Sequence, residues 1–294
     1  MTVEIPPRLS WLHGVEGGSH WLDTLPQVVD EVAEGWGLTI GAPFTEAYVS
    51  YACPARTPDG AKAVLKVQFP HPECRNEADA LRRWDGVGAI RLLAHDQTCH
   101  ALLLERCQPG THLSAEDPNH ALDVLVGLIG QTAVPVDDAV AWDRLELAAA
   151  QWSAAMARRA ELAGPDIDAR LLAAAAELAT WLGPTQGPAL LVNQDLHGDN
   201  VLRATRSPWL VIDPKPIVGE LAFAGVPVVR SYEFGHSRRD VRHRLDRMAA
   251  ELGVDRERLR GWTIVHTVTW LVDAAGEVLH HHLDTVGWLL DDLP

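Results

Sequence analysis

Residues 192–202 read VNQDLHGDNVL, so two aspartates, a histidine and an asparagine stand between two short apolar stretches of strand character. A strand turn needs little more than Gly, Pro or one Asn. A longer stretch crowded with polar groups points instead to a loop that handles charge. Three chemistries can be weighed for it. A metal hydrolase would use His197, Asp195 and Asp199 as ligands, but the stretch lacks the His-Glu-x-x-His helical register and has no further His or Cys nearby. A nucleoside triphosphatase of the P-loop kind needs GxxxxGK[ST], which is absent; GWGLTIG at 35–41 precedes a strand instead of joining a strand to a helix. Phosphoryl transfer fits better. It needs a carboxylate to orient the attacking hydroxyl and hard oxygen ligands for Mg²⁺. Asp195 suits the first role, and Asn200 with Asp213, at the end of WLVID, suits the second.

Such a site also needs a cation for the phosphates of ATP. Lys66 sits within the apolar strand VLKV, where an unpaired ammonium is costly. Glu77 shares a predicted helix face with Leu81 and Trp84 at i, i+4 and i+7. Each is oddly placed alone, and an ion pair between them explains both. The alternative is a surface Lys on an edge strand and a Glu in a solvated first turn. The run His280–His282 reads as a solvated helix end, because three consecutive helical side chains point in different directions.

The elements that must position these residues fall into two halves. Up to residue 107 the chain is strand-rich: 38–44, 47–55, 61–68, 89–96 and 100–107 carry β-type apolar patterns, with one helix over 74–84. Turns at 57–60 and 96–98 predict antiparallel hairpins. From residue 108 helices dominate: 117–130, where Asp117 caps and Pro118 takes the first position, then 143–163, 165–182, 237–252 and 255–279. Strands at 189–193 and 200–204 form a short pair, and a turn at 205–208 leads into a third strand, 209–213, so that Asp213 returns beside Asn200. The expected fold class is therefore α+β, divided into 1–107 and 108–294.

Whole-chain properties narrow the partners. The 294 residues carry 25 basic and 40 acidic side chains, a formal net charge of −15, which repels polyphosphate backbones and argues against nucleic acid. This charge serves solubility or favours a cationic substrate. No apolar run reaches membrane-spanning length and MTVEIPPRLS has no signal pattern, so a cytoplasmic protein without a membrane partner is expected. The four cysteines, without a CxxC pair, are expected as reduced thiols. Nothing in the sequence sets an oligomeric state.

Four blocks carry a family resemblance: VLKVQFPHPECRNEADALRRW (64–84), LLLERCQPGTHL (102–113), LLVNQDLHGDNVL (190–202) and WLVIDPKPIVGELAF (209–223). They resemble the aminoglycoside/hydroxyurea antibiotic resistance kinases. The resemblance implies a two-lobed protein-kinase-like fold, with a small antiparallel-sheet N-lobe bearing one helix and a larger, mainly helical C-lobe. It implies ATP and Mg²⁺ as cofactors and a small cationic acceptor, an aminoglycoside such as streptomycin. Alternatives are hydroxyurea, a metabolite, or an ATP-binding pseudokinase. Carried over by position, Lys66 meets the α/β-phosphates and Glu77 fixes it. The segment 103–107, through Glu105 and Cys107, meets adenine. Asp195 is the catalytic base, and Asn200 and Asp213 hold the metal. Many relatives have His-Gly-Asp where this chain has Asn193-Gln194-Asp195, and PFTEAYV (43–49) lacks the glycines often found there. Lys215 either helps to neutralise phosphate or is solvated on a stiff loop, and His197 anchors its loop. Glu220, Glu233, Asp273 and Glu277 are the acidic side chains considered for a cationic acceptor.

Overall fold

The computed structural model describes residues 3–137, 139–162, 167–272 and 277–292. They form two units: the first comprises Met1–Gly110 with Ala204–Arg206, the second Thr111–Arg203 with Ser207–Pro294.

The first unit is built on a five-stranded sheet. After a 3₁₀ segment (Pro7–Gly14) and helix α1 (Gly18–Gly35) come β1 (Thr39–Ile40), β2 (Ser50–Arg56), β3 (Lys62–Gln68), α2 (Glu77–Trp84), β4 (Leu92–Asp96) and β5 (Ala101–Glu105). The sheet order is β1-β2-β3-β5-β4, and all its pairs are antiparallel. Alternation along each strand decides what faces where. Tyr51, Cys53 and Ala55 of β2 and Ala63, Leu65 and Val67 of β3 join a core with Leu22, Leu25 and Val29 of α1. Lys66 and Gln68 therefore project from the opposite face, toward α2. The sequence reading carries α2 but leaves α1 unassigned, and the strand expected over 38–44 is limited to Thr39–Ile40.

The second unit is mainly helical. It contains α3 (Pro118–Thr132), α4 (Leu145–Leu162), α5 (Ala169–Leu182), β6 (Leu190–Asn193), β7 (Val201–Arg203), β8 (Trp209–Val211) and β9 (Pro216–Gly219). Then come α6 (Leu221–Ala224), α7 (Val226–Arg230), α8 (Arg238–Leu252), α9 (Arg256–Thr269) and α10 (His280–Leu290). Asp117 caps α3, accepting from the N–H groups of Asn119 at 3.0 Å and His120 at 3.2 Å. Helix α9 is central: Leu259, Trp262, Ile264, Val265 and Val268 are fully buried, and it packs on α5, α7 and α10.

Two sequence expectations change here. The segments 189–193 and 200–204 do not pair with each other: β6 pairs with β9, and β7 pairs with β8, both antiparallel. Separate hairpin-like ladders then emerge on either side of the polar loop. The helix expected over 255–279 ends at Thr269. Cys53, Cys74, Cys99 and Cys107 are all free thiols. Among the described residues, no helix is long and apolar enough to cross a membrane.

Candidate active site

In the second unit, β6 delivers Asn193 and β9 delivers Pro216, directly paired in the ladder. Asn193 is buried. Its Oδ1 accepts from the main-chain N–H of Asp195 at 3.1 Å and of Lys215 at 3.0 Å, so one amide clamps the loop after β6 to the loop before β9. The N–H of Gln194 adds a bond to Lys215 O at 3.0 Å. Asn200 Nδ2 donates to the main-chain O of Asp195 at 3.0 Å and lies 3.2 Å from Asp195 Oδ2. The main-chain oxygen only accepts, which fixes the amide nitrogen on that side and turns Oδ1 away. Asn200 O in turn accepts from Ile212 N at 2.9 Å, and β7–β8 pairing brings Asp213 back beside Asn200. Asp213 has φ 47°, a left-handed conformation disfavoured for a residue with a Cβ.

Asp195 is surrounded by cations. Lys215 Nζ lies 2.8 Å from its Oδ2 and Arg230 donates to its Oδ1 at 3.4 Å. Burial alone would raise the carboxyl pKa, but the charges of Lys215, His197 and Arg230 outweigh it and hold the group well below the usual carboxylate range. Asp195 is a firmly ionised, weak base.

The turn that follows is held by Glu233. One of its oxygens takes the Nδ1 of His197 at 2.6 Å, and the other accepts the N–H of Gly198 at 2.7 Å; the N–H of Asp199 adds a longer bond at 3.3 Å. His197 Nε2 faces Asn200 Nδ2 at 3.1 Å, so both ring nitrogens are engaged. Burial pulls the His197 pKa down, but Glu233 and Asp195 overcome this and raise it. Ligand atoms of His197, Asp199 and Glu233 lie within 4.8 Å of one another. Glu233 bonds His197 and the N–H groups of Gly198 and Asp199, and the Asp199 carboxylate accepts from Ser114 Oγ, so these groups cap the loop. Arg244, 1% exposed, holds the backbone on both sides of Glu233. It donates to the carbonyls of Val229 at 3.2 Å, Phe234 at 3.2 Å and Gly235 at 2.8 Å, and burial lowers its pKa to about 10.

In the first unit, Lys66 and Glu77 form a bidentate pair, with Nζ 2.8 Å from Oε1 and 2.6 Å from Oε2. They are 5% and 1% exposed, so this is a buried ion pair, and Gln68 Nε2 donates to Glu77 Oε2 at 2.5 Å. Glu105 is occupied by Arg206, whose Nε and Nη2 lie 2.8 and 2.9 Å from its two oxygens, and by the N–H of Arg91 at 3.0 Å. Burial would raise the Glu105 pKa, but Arg206 and Arg91 lower it. Arg206 also ties the carbonyls of Gly86 and Ala89. Cys107 is buried, and burial followed by the charge of Glu105 pushes its thiol up to about 12. It is inert at neutral pH.

The structure thus joins Lys66 to Glu77 and Asp195 to Asn200, and sets Asp213 next to Asn200 through the backbone. Two acidic residues considered for the acceptor are committed elsewhere. Glu233 caps the loop, and Glu220 is buried against Arg258, at 2.7 Å, and the indole N–H of Trp262. Glu277 is exposed, and Asp273 lies outside the described residues. His282 is not solvated, because its Nδ1 donates to Trp270 O at 2.7 Å. Sequence reasoning missed Gln68, Arg206, Arg230 and Arg244. Gln68 carried a signal, since it shares the face of Lys66 two residues on; the three arginines had none.

A sheet with a buried Lys–Glu pair and a helical unit with an Asp–Asn loop define a protein-kinase-like phosphotransferase. The profile of the family described as aminoglycoside/hydroxyurea antibiotic resistance kinase matches residues 36–275. The chain is 36% identical to the hydroxyurea phosphotransferase of Kitasatospora aureofaciens, covering 94% of this chain and 82% of that protein. It is 34% identical to the streptomycin 6-kinase of Streptomyces glaucescens, covering 94% of each. Among solved structures, choline kinase LicA of Streptococcus pneumoniae shares the fold with a TM-score of 0.63 at 10% identity, over 91% of this chain and 99% of that one. The chain belongs to the aminoglycoside/hydroxyurea antibiotic resistance kinase family.

Proposed function

We propose that the chain transfers the γ-phosphoryl group of ATP to a hydroxyl of an aminoglycoside, with streptomycin the first acceptor to test. The observation that carries this reading is the ionised Asp195, hydrogen-bonded to Asn200 on a loop clamped by Asn193. Relatives named for streptomycin 6-phosphorylation and for hydroxyurea phosphorylation support the two acceptor classes. Lys66, fixed by Glu77, holds the α/β-phosphates, and the segment around Glu105 and Cys107 receives adenine. Asp195 orients the acceptor hydroxyl. Its low basicity suits a loose transition state, in which the proton passes to the carboxylate only as the new oxygen–phosphorus bond forms.

Magnesium fits the residues present. Asn200 Oδ1 is turned away from Asp195, and with the Asp213 carboxylate it offers the hard oxygen donors that Mg²⁺ takes. When bound, the ion neutralises phosphate charge. Lys215 and Arg230 keep Asp195 ionised and aligned and bring positive charge to the acceptor side of the reaction.

The test is acceptor-dependent ADP release from Mg-ATP, with streptomycin, other aminoglycosides and hydroxyurea, beside an Asp195→Asn control. Stimulation by an aminoglycoside that vanishes in the control is expected. Stimulation by hydroxyurea alone would shift the acceptor class. Nucleotide binding without transfer to any acceptor would favour a pseudokinase, and the lack of nucleotide binding would end the kinase reading.

A further inference from the structure

Directly behind the Lys66–Glu77 pair, the first unit has a concavity of about 430 Å³ between the β3–α2 connection, α2 and the end of β4. That size is within the range of small-molecule sites. Its lining reaches the ion pair twice: through Gln68, which donates to Glu77, and through Ala78, the next residue of α2. Its charge runs against the rest of the molecule. In a chain of net charge −15 with its histidines neutral, this lining sets two arginines, Arg75 and Arg82, against the single carboxylate of Asp79, with His71, His95 and His100 as further hydrogen-bonding groups.

The contacts of Arg82 leave its guanidinium able to exchange partners. Arg82 Nη1 lies 2.7 Å from Asp79 Oδ1 and its Nη2 lies 2.9 Å from His95 Nδ1, but the Arg82 side chain is 51% exposed. An exposed i,i+3 pair of this kind contributes little and yields to a stronger acceptor. A guanidinium fork matches an oxyanion in a way that a single carboxylate oxygen does not. Burial, and then the Arg82 charge, lower the His95 pKa against the opposing charges of Asp79 and Asp96, so the ring lies neutral beside Arg82.

We propose that this concavity binds a small oxyanion, an organic phosphate or a di- or tricarboxylate, between Arg75 and Arg82, and that occupancy stiffens α2 and so the placement of Glu77 on Lys66. The site is separate from the residues proposed for nucleotide and acceptor, and its effect is read through the ion pair.

The experiment uses the full chain with and without saturating Mg-AMP-PNP, titrated with inorganic phosphate and, in parallel, succinate at constant ionic strength. Thermal melting and the KM for Mg-ATP are the readouts, for wild type, Arg75→Ser, Arg82→Ser and the double variant. Both arginines are exposed, and melting without anion checks that each variant is folded. Saturable stabilisation of the wild type is expected, about tenfold weaker in the double variant, the size of losing a charge-assisted contact. The KM for Mg-ATP should fall with anion in wild type alone. A stronger response to phosphate than to succinate would identify the phosphate class, and the reverse the carboxylate class. Equal responses in wild type and double variant, or displacement of Mg-AMP-PNP by the anion, would overturn the proposal. Failure of nucleotide to bind would count against the kinase reading only, because titration without nucleotide still tests the concavity.

Discussion

Lys215 Nζ lies 2.8 Å from Asp195 Oδ2, and one side chain, that of Asn193, holds the main-chain N–H groups of both residues. Acid and cation are therefore set by a shared clamp and act as a unit. Asp195→Asn, which keeps shape and removes the proposed base, is expected to lower kcat by about 10²–10⁴-fold with little change in Mg-ATP affinity. Lys215→Met should lower kcat by about 10–100-fold, and the double variant should be little worse than Asp195→Asn alone. Steady-state kinetics on the three variants decides this. Additive losses would show that Lys215 works independently of Asp195.

Glu233 organises the loop after β6, proposed as the catalytic loop, through three bonds to His197, Gly198 and Asp199. Glu233→Gln keeps its length but cannot accept on both sides, and kcat is expected to fall about tenfold, the cost of one charge-assisted bond. Gly198→Ala tests the same contact from the other side, because a Cβ there would meet Glu233 Oε2 at 2.6 Å, Phe234 Cζ at 2.7 Å and Ser114 Cα at 2.9 Å. Both variants should lose kcat more than they raise KM. A change confined to KM would mean that the loop geometry is unaffected.

The buried pair of Lys66 and Glu77 separates stability from function. Lys66→Met leaves Glu77 charged at 1% exposure, with Gln68 Nε2 still donating to it. Breaking a buried pair on one side costs about 3–5 kcal/mol. Replacing both residues, Lys66→Met with Glu77→Leu, should recover most of that stability in chemical denaturation, because no unpaired charge is left. Activity should not return. Recovery of phosphoryl transfer in the double variant would exclude Lys66 from the nucleotide site.

The pair was legible in sequence because each member broke a local rule: a lysine in an apolar strand and a glutamate on an inward helix face. The contact of Asp195 with Asn200 was legible for a related reason, as a polar loop between apolar stretches is hard to account for otherwise. Helix α1 also carries a readable signal, with Leu22, Leu25, Val29 and Val32 on one face, although Pro26 lies within it. The pairing of β6 with β9 was not readable. Antiparallel partners are chosen by tertiary packing, and two apolar segments of four residues carry no record of which neighbour they take. Arg230 and Arg244 were equally silent. A surface arginine and one that crosses the core to reach three carbonyls look alike in one dimension.

Histidines near α9 and α10 predict a pH dependence of stability. His282 Nδ1 donates to Trp270 O, and burial, with the charge of Arg230 opposing protonation, brings its pKa from 6.5 down to about 4. His266, 1% exposed, is lowered well below 6.5 for the same leading reason, burial. Both are neutral in the folded protein, whereas the unfolded chain protonates them near pH 6.5. A depressed histidine pKa contributes stability that is fully present above the unfolded value and is lost as pH falls through it toward the folded value. His197 has the opposite sign, since its raised pKa adds stability that is complete below 6.5 and fades as pH rises through its folded value. Between pH 6 and pH 5 that term is nearly constant, so the buried pair leads the histidine contribution, and His95 and His281, also lowered by burial, add to it with the same sign. Chemical denaturation across this interval should show stability falling with a slope approaching about 1.4 kcal/mol per pH unit for each such group. His282→Gln, which keeps a side-chain N–H donor and cannot titrate, should flatten the slope by about one proton. An unchanged slope would mean that His282 is solvated and titrates alike in both states.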